Sequence, residues 1–177
     1  MALKQLNGTY VLDPSHTTLS FVTRHAMVTK VRGYFEDFEG TAVLGETPTL
    51  DVVIQVASVD TRSADRDAHL RSADFFDVEN HPTITFTGTS WEITGEDTFD
   101  ITGDLTIKDV TRTITIPFEY TGEATDPFGN LRVGFEGKVQ VNRKDFGLTW
   151  NAALETGGVL VSDKVSLEFE VSAIKQA

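Results

Sequence analysis

Four histidines, His16, His25, His69 and His81, are the residues of this chain best suited to metal binding. A zinc site needs three or four ligands that converge. The spacing of these four puts no pair on a common helical face and gives no compact ligand motif. Cysteine is absent altogether, which removes thiolate metal sites, disulfides and cysteine nucleophiles. No metal and no other cofactor is therefore expected, and structural hydrogen bonding is the ordinary role for these rings. His25 stands apart. It shares parity with Leu19, Phe21 and Thr23 on a strand-like run, so it is placed to meet the polar head of a ligand held on that face.

Two further groupings have residue types that do chemistry. Asp65-Arg66-Asp67, followed by His69, contains acid–base side chains. A solvated helix face with local ion pairs accounts for the same pattern. From this segment Arg66 and His69 are kept as head-group contacts, not as catalytic groups. Asp13, Ser15 and His16 are close in sequence, but a hydrolytic triad is a spatial arrangement, and no Gly-x-Ser-x-Gly elbow is present. No catalytic residue is assigned. Gly157-Gly158 opens no helix, so a turn is expected there in place of a phosphate-binding loop.

The elements that must position these residues follow from a two-residue rhythm. Phe99, Ile101, Gly103, Leu105 and Ile107 alternate with Asp100, Thr102, Asp104, Thr106 and Lys108. Ile114, Ile116, Phe118 and Tyr120 share one face, as do Leu131, Val133, Phe135, Val139 and Val141. Val165, Leu167, Phe169 and Val171 repeat the pattern near the end of the chain. Successive side chains of a strand point to opposite faces, so each run has one dry and one wet side, the mark of antiparallel sheet. Thr9–Leu12, Thr17–His25, Gly33–Leu44 and Leu50–Ser58 are earlier candidates, giving eight or nine strands. The segment from Arg62 to about Asn80 lacks alternation. It reads as a short helix or loop lying across one end, with Ser63 at its start.

Composition limits what such a fold can do. A chain of 177 residues suits one domain, 1–177. No run approaches the roughly 20 apolar residues of a spanning helix. The formal charge of −12 repels phosphate backbones, so nucleic acid is not an expected partner. The opening residues show no secretory signal pattern. A cytoplasmic location is the expectation, or a periplasmic or secreted one if the sequence is a mature form.

One-sided strands must stack or close to hide their dry faces. A sandwich and a barrel both satisfy that, and long strands with short turns favour an all-β, up-and-down antiparallel barrel of about eight strands in a single domain, wide enough for side chains or one small ligand. Phe21, Phe35, Phe86, Ile116, Phe118 and Phe135 fall on the dry parities and become candidate ligand contacts. Trp150 and Phe76 lie in less regular segments and are candidates for a barrel mouth. The rival account of the aromatics is a filled core.

Several blocks in order resemble the YceI-like family of lipid- or polyisoprenoid-binding proteins. They are Tyr10-Val11-Leu12-Asp13-Pro14-Ser15-His16-Thr17, Ser20-Phe21-Val22-Thr23-Arg24-His25, Val31-Arg32-Gly33-Tyr34-Phe35, Asp67 to Asp77, His81 to Phe86, Gly103 to Ile107 and Asn142 to Leu148. The resemblance implies an extended lipocalin-like barrel with an apolar pore for a long-chain amphiphile such as a polyprenyl compound, and it allows a homodimer. It supplies no catalytic residue.

The resulting expectation is a non-catalytic binder of a long-chain lipid, acting as carrier, store or sensor. Burying ~20 methylene-sized groups at ~0.8 kcal/mol each is worth roughly 16 kcal/mol gross. Association costs of about 4–15 kcal/mol leave micromolar binding or tighter within reach. The alternative is a barrel enzyme of isomerase or cyclase type acting on a hydrophobic substrate. It would need paired acid–base groups inside the lumen, and the dry parities hold almost no carboxylates.

Overall fold

A computed structural model describes residues 3–152, 154 and 160–177. Among the described residues there are eleven strands: β1 (Gly8–Leu12), β2 (Thr18–His25), β3 (Thr29–Phe35), β4 (Phe38–Leu44), β5 (Thr49–Gln55), β6 (Val59–Asp60), β7 (Thr83–Ile93), β8 (Thr98–Ile107), β9 (Val110–Thr125), β10 (Leu131–Asn142) and β11 (Lys164–Lys175). One helix, α1 (Ala64–Arg71), lies between β6 and β7. The turn expected at Gly157-Gly158 lies outside the described residues.

Hydrogen bonding runs β1-β4-β5-β7-β8-β9-β10-β11, and β11 pairs back onto β1, so eight antiparallel strands close a barrel. Closure removes the free edges that one-sided strands would otherwise expose. β11 makes the closure by dividing its length: Ser166–Glu170 pair with β2, whereas Ala173–Lys175 pair with β1. From β2 the ladder continues to β3 and the short β6, forming a flap beside the barrel.

The alternation read from sequence is the alternation observed. In β8, Phe99, Ile101, Gly103, Leu105 and Ile107 are buried, and the residues between them are partly accessible. The β8–β9 connection is the two-residue turn Lys108-Asp109, with φ of 52° and 62°. Positive φ at both positions is what a tight hairpin turn matched to strand twist requires.

Two expected strands differ. The run Gly33–Leu44 is not one strand but parts of β3 and β4, which do not pair with each other. Glu36 and Asp37 form a corner, where the Asp37 carbonyl accepts from the Gln55 amide and the Glu36 amide donates to the Ser58 carbonyl. The buried residues change there from odd (Gly33, Phe35) to even (Phe38, Gly40). The run Leu50–Ser58 ends as a strand at Gln55 and finishes in a 3-10 turn, Val56–Ser58.

The irregular segment after β6 begins with α1. The Ser63 hydroxyl accepts from the Arg66 amide at 3.3 Å, the usual side-chain cap of a first turn. The buried Asp67 carboxylate accepts from the Thr61 amide at 2.8 Å and the Thr61 hydroxyl at 2.5 Å, fastening the helix to the end of β6.

Candidate binding cavity

The dry faces of the closed sheet do not fill the space they surround. A cavity of about 590 Å³ runs inside the barrel. Phe21, Phe86, Ile101, Leu105, Ile116 and Phe118 are typical of its wall, drawn from β2, β7, β8 and β9. This volume falls in the range of sites that enclose a drug-sized or larger apolar molecule.

Glycines on the inner face make room for the rings. A Cβ added at Gly103 would stand 2.6 Å from the Phe86 ring, and one at Gly137 would stand 2.5 Å from the Phe118 ring. The large side chains therefore lie along neighbouring strands and do not point across the lumen. Trp91, Phe99 and Phe118 form a stacked row, with centroids 5.6 and 5.7 Å apart. Phe99 meets Phe135 edge to face at 5.6 Å.

The two ends of the cavity differ. At the end where β5 leaves for α1, the wall is made by Phe75, Phe76, Phe146 and Leu148, all buried. At the other end it includes Lys4, Gly45, Glu46, Thr47, Thr89 and Ser90, all exposed. The lumen is a sleeve closed by apolar side chains at one end and rimmed by polar ones at the other. A register shift in β7 between Gly88 and Ser90 sets Thr89 on this rim. Such bulges bend a strand at a barrel edge.

Among the described residues, three charged side chains touch the cavity: Lys4, Glu46 and Arg143. Arg143 is 4 % exposed and belongs to the closed end. Its guanidinium donates to the carbonyls of Ser162 (2.9 Å), Leu148 (2.6 Å), Trp150 (2.9 Å) and Val161 (3.4 Å). Burial pulls its pKa below the ordinary value, and the Asp163 carboxylate, 3.6 Å away, opposes that. With its fork used on backbone, Arg143 braces the floor of the sleeve and has little left for a ligand.

Of the ten candidate contacts, six line the cavity: Phe21, Phe35, Phe86, Ile116, Phe118 and Phe135. His25, Arg66, His69 and Trp150 do not. His25 is exposed, because β2 has by then run past its partner: pairing with β11 stops at Val22, and His25 bridges Val161 instead. Arg66 donates from Nε to the Thr61 hydroxyl (2.8 Å) and from Nη2 to the Thr61 carbonyl (2.6 Å), outside the lumen. His69 packs edge-on against Phe75 (5.0 Å) and Trp150 (4.7 Å), and its Nε2 is 2.9 Å from an Asp74 carboxylate oxygen. This aromatic group covers the closed end, so Trp150 and Phe76 belong to a sealed base and not to an open mouth. Sequence reasoning missed Lys4, Glu46 and Arg143. Lys4 sits in a short 3-10 turn of helix, Leu3–Gln5, Glu46 in the β4–β5 connection and Arg143 just past the end of β10, none of them in an alternating run.

The polar clusters elsewhere are structural. Among the described residues, no three His, Asp or Glu are grouped to hold a metal ion. Asp13, Ser15 and His16 do touch, but His16 Nδ1 faces both the Ser15 hydroxyl (3.0 Å) and the Asp13 carboxylate (2.8 Å). A serine relay uses the two ring nitrogens for two partners. Here Asp13 instead ties the β1–β2 turn to β10: Arg132 donates to Asp13 at 2.5 Å and to Asp126 at 2.8 Å. The Arg132 hydrogen bond holds the Asp13 carboxyl well below the usual carboxylate range. Among the described residues, no helix is long and apolar enough to cross a membrane.

Comparison with known proteins agrees with this architecture. The model of the YceI-like domain matches residues 10–173. A UPF0312 protein of Azotobacter vinelandii is 42 % identical over 145 residues, covering 78 % of this chain and 76 % of its own. The crystal structure of Burkholderia cenocepacia BcnA superposes with a TM-score of 0.80 at 22 % identity, over 91 % of this chain and 98 % of that one. A polyisoprenoid-binding domain from Saccharophagus degradans superposes with a TM-score of 0.74 at 16 % identity, over 97 % of this chain and 100 % of that one. These two share the fold. Taken with the family match over nearly the whole barrel, the chain belongs to the YceI-like family.

Proposed function

We propose that this protein binds a long-chain apolar amphiphile, a polyisoprenoid or similar lipid, inside the barrel, as a carrier, store or sensor and without catalysis. The observation that carries the reading is the sleeve itself: about 590 Å³ of space behind an aromatic and aliphatic wall, with its exposed polar groups at one rim. Apolar burial at roughly 25 cal/mol per Å² supplies the affinity, and no directional polar contact is required in the interior. Membership of the YceI-like family and the shared fold of a polyisoprenoid-binding domain support the ligand class. The enzyme alternative lacks support of this kind, since Glu46 is the one carboxylate on the cavity wall among the described residues, and it sits at the rim.

The test is direct. Protein purified from a bacterial host is denatured and extracted into organic solvent, and the extract is analysed by mass spectrometry. A near-stoichiometric hydrophobic molecule, or uptake of added prenyl lipid by stripped protein, is the expected result. Neither extracted lipid nor uptake, with protein from several hosts, contradicts the reading.

A further inference from the structure

The sleeve has a direction and a length, and both bear on the ligand. The rim at the β4–β5 turn and the end of β7 is exposed, whereas Phe75, Phe76, Phe146 and Leu148 bury the opposite end. An amphiphile whose tail lies in the lumen leaves its head where water is, because desolvating a polar group without a partner costs several kcal/mol. At the closed end the one buried cation, Arg143, is committed to four backbone carbonyls. The head must therefore stay at the rim, among Lys4, Glu46, Thr47, Thr89 and Ser90.

Among the described residues the charge at that rim is balanced, one lysine against one glutamate, on a chain of formal charge −12. A head with two or more negative charges gains from Lys4, loses to Glu46 and is repelled by the protein as a whole. An uncharged head with hydroxyl or carbonyl oxygens meets neither penalty and can bond to the rim hydroxyls.

Volume sets a minimum length. A water- or methylene-sized group occupies about 30 Å³ in a condensed phase, so a cavity of about 590 Å³ has room for at least ~20 such groups.

Resting on the lipid-binding reading above, we infer that the ligand enters tail first past the Lys4–Glu46 rim, carries an uncharged head, and is enclosed over at least ~20 methylene-sized groups.

The experiment uses stripped full-length protein and prenyl chains presented from cyclodextrin, with uptake quantified by mass spectrometry. One series varies length among C15, C20 and C30 alcohols. The other compares the C20 alcohol with its diphosphate at low and high salt. Affinity is expected to rise steeply from C15 to C20, at most about fourfold per buried methylene. The C20 alcohol is expected to bind at least ~10-fold tighter than the diphosphate at low salt, with the gap narrowing as salt screens the charges. Glu46→Lys is expected to narrow it as well, by favouring the diphosphate. Tighter binding of the diphosphate by wild type, or no gain in affinity from C15 to C20, overturns the inference while leaving lipid binding intact. Failure of every chain to bind overturns the underlying reading, and the inference falls with it.

Discussion

The Phe118 ring lies over Gly137, its direct partner across the β9–β10 ladder, so closely that a Cβ at Gly137 would stand 2.5 Å from a ring carbon. Both positions face the lumen, and glycine there gives the ring a flat place against the wall. In Gly137→Ala the ring has one free direction, into the cavity. Overpacking a filled core costs about 1–3 kcal/mol. An open lumen absorbs the displaced ring, so the apo variant is expected to lose under ~1 kcal/mol while its lipid uptake drops clearly. Urea unfolding and lipid uptake on the same sample check this. A large stability loss with uptake unchanged would place the free space elsewhere.

Phe86 and Phe118 test the same point by subtraction. Phe→Ala in a close-packed interior costs roughly 3–5 kcal/mol. Both rings border existing space, so fewer contacts are lost on one side, and apo variants should lose less than ~2 kcal/mol. Thr115, exposed and bonded across the sheet to Thr102 at 2.8 Å, is the control. Its replacement by alanine should cost no more than about 0.5 kcal/mol and leave binding unchanged. Full packed-core costs at both phenylalanines would mean that the wall is already filled.

Arg143→Lys is expected to be severe, although the charge is kept. A lysine cannot span carbonyls as separate as those of Ser162, Leu148, Trp150 and Val161 with a planar fork. Each buried acceptor left without a donor costs about 1–3 kcal/mol. A loss of about 3 kcal/mol or more is expected in urea unfolding. Near-wild-type stability would show that the floor of the sleeve does not depend on this residue.

The Arg132 link predicts a pH dependence. Arg132 lowers the Asp13 pKa, and hydrogen bonds from Asn130, Arg132 and Phe128 overcome burial to bring Asp126 to about 2. A carboxylate depressed in the folded state stabilises above its unfolded pKa, ~3.9 for Asp, and loses that contribution as pH falls towards the folded value. The stability gap between wild type and Asp13→Asn should be constant from neutral pH down to about pH 5 and shrink below about pH 4. Urea midpoints across this range measure it. A gap that persists undiminished at about pH 2.5 would separate Asp13 from the link.

Periodicity revealed the barrel wall because the wall is made of long strands with one buried face. It was silent where the chain turns. The Glu36–Asp37 corner is visible only as a change of parity between Phe35 and Phe38. His25 has the right parity on the wrong part of β2, since parity says nothing about where a strand leaves its neighbours. Lys4 and Glu46 define the rim through tertiary position alone. Arg143 lies in no alternating run, and its role depends on carbonyls from Leu148, Trp150, Val161 and Ser162.

The central claim is that the lumen is open and takes a lipid, and one pair of unfolding curves addresses it. Ile116 is buried and faces the cavity from β9. Stripped wild type and Ile116→Trp are unfolded in urea with and without a C20 prenyl alcohol. A ligand that binds only the folded state stabilises it by RT ln(1 + [L]/Kd), about 2.7 kcal/mol at 100 times Kd. The account predicts that wild type gains such a shift, growing with ligand concentration, while Ile116→Trp folds cooperatively, intrudes on the lumen and gains a smaller shift at the same ligand concentration. A wild type indifferent to lipid, together with an Ile116→Trp variant that cannot fold, would contradict it.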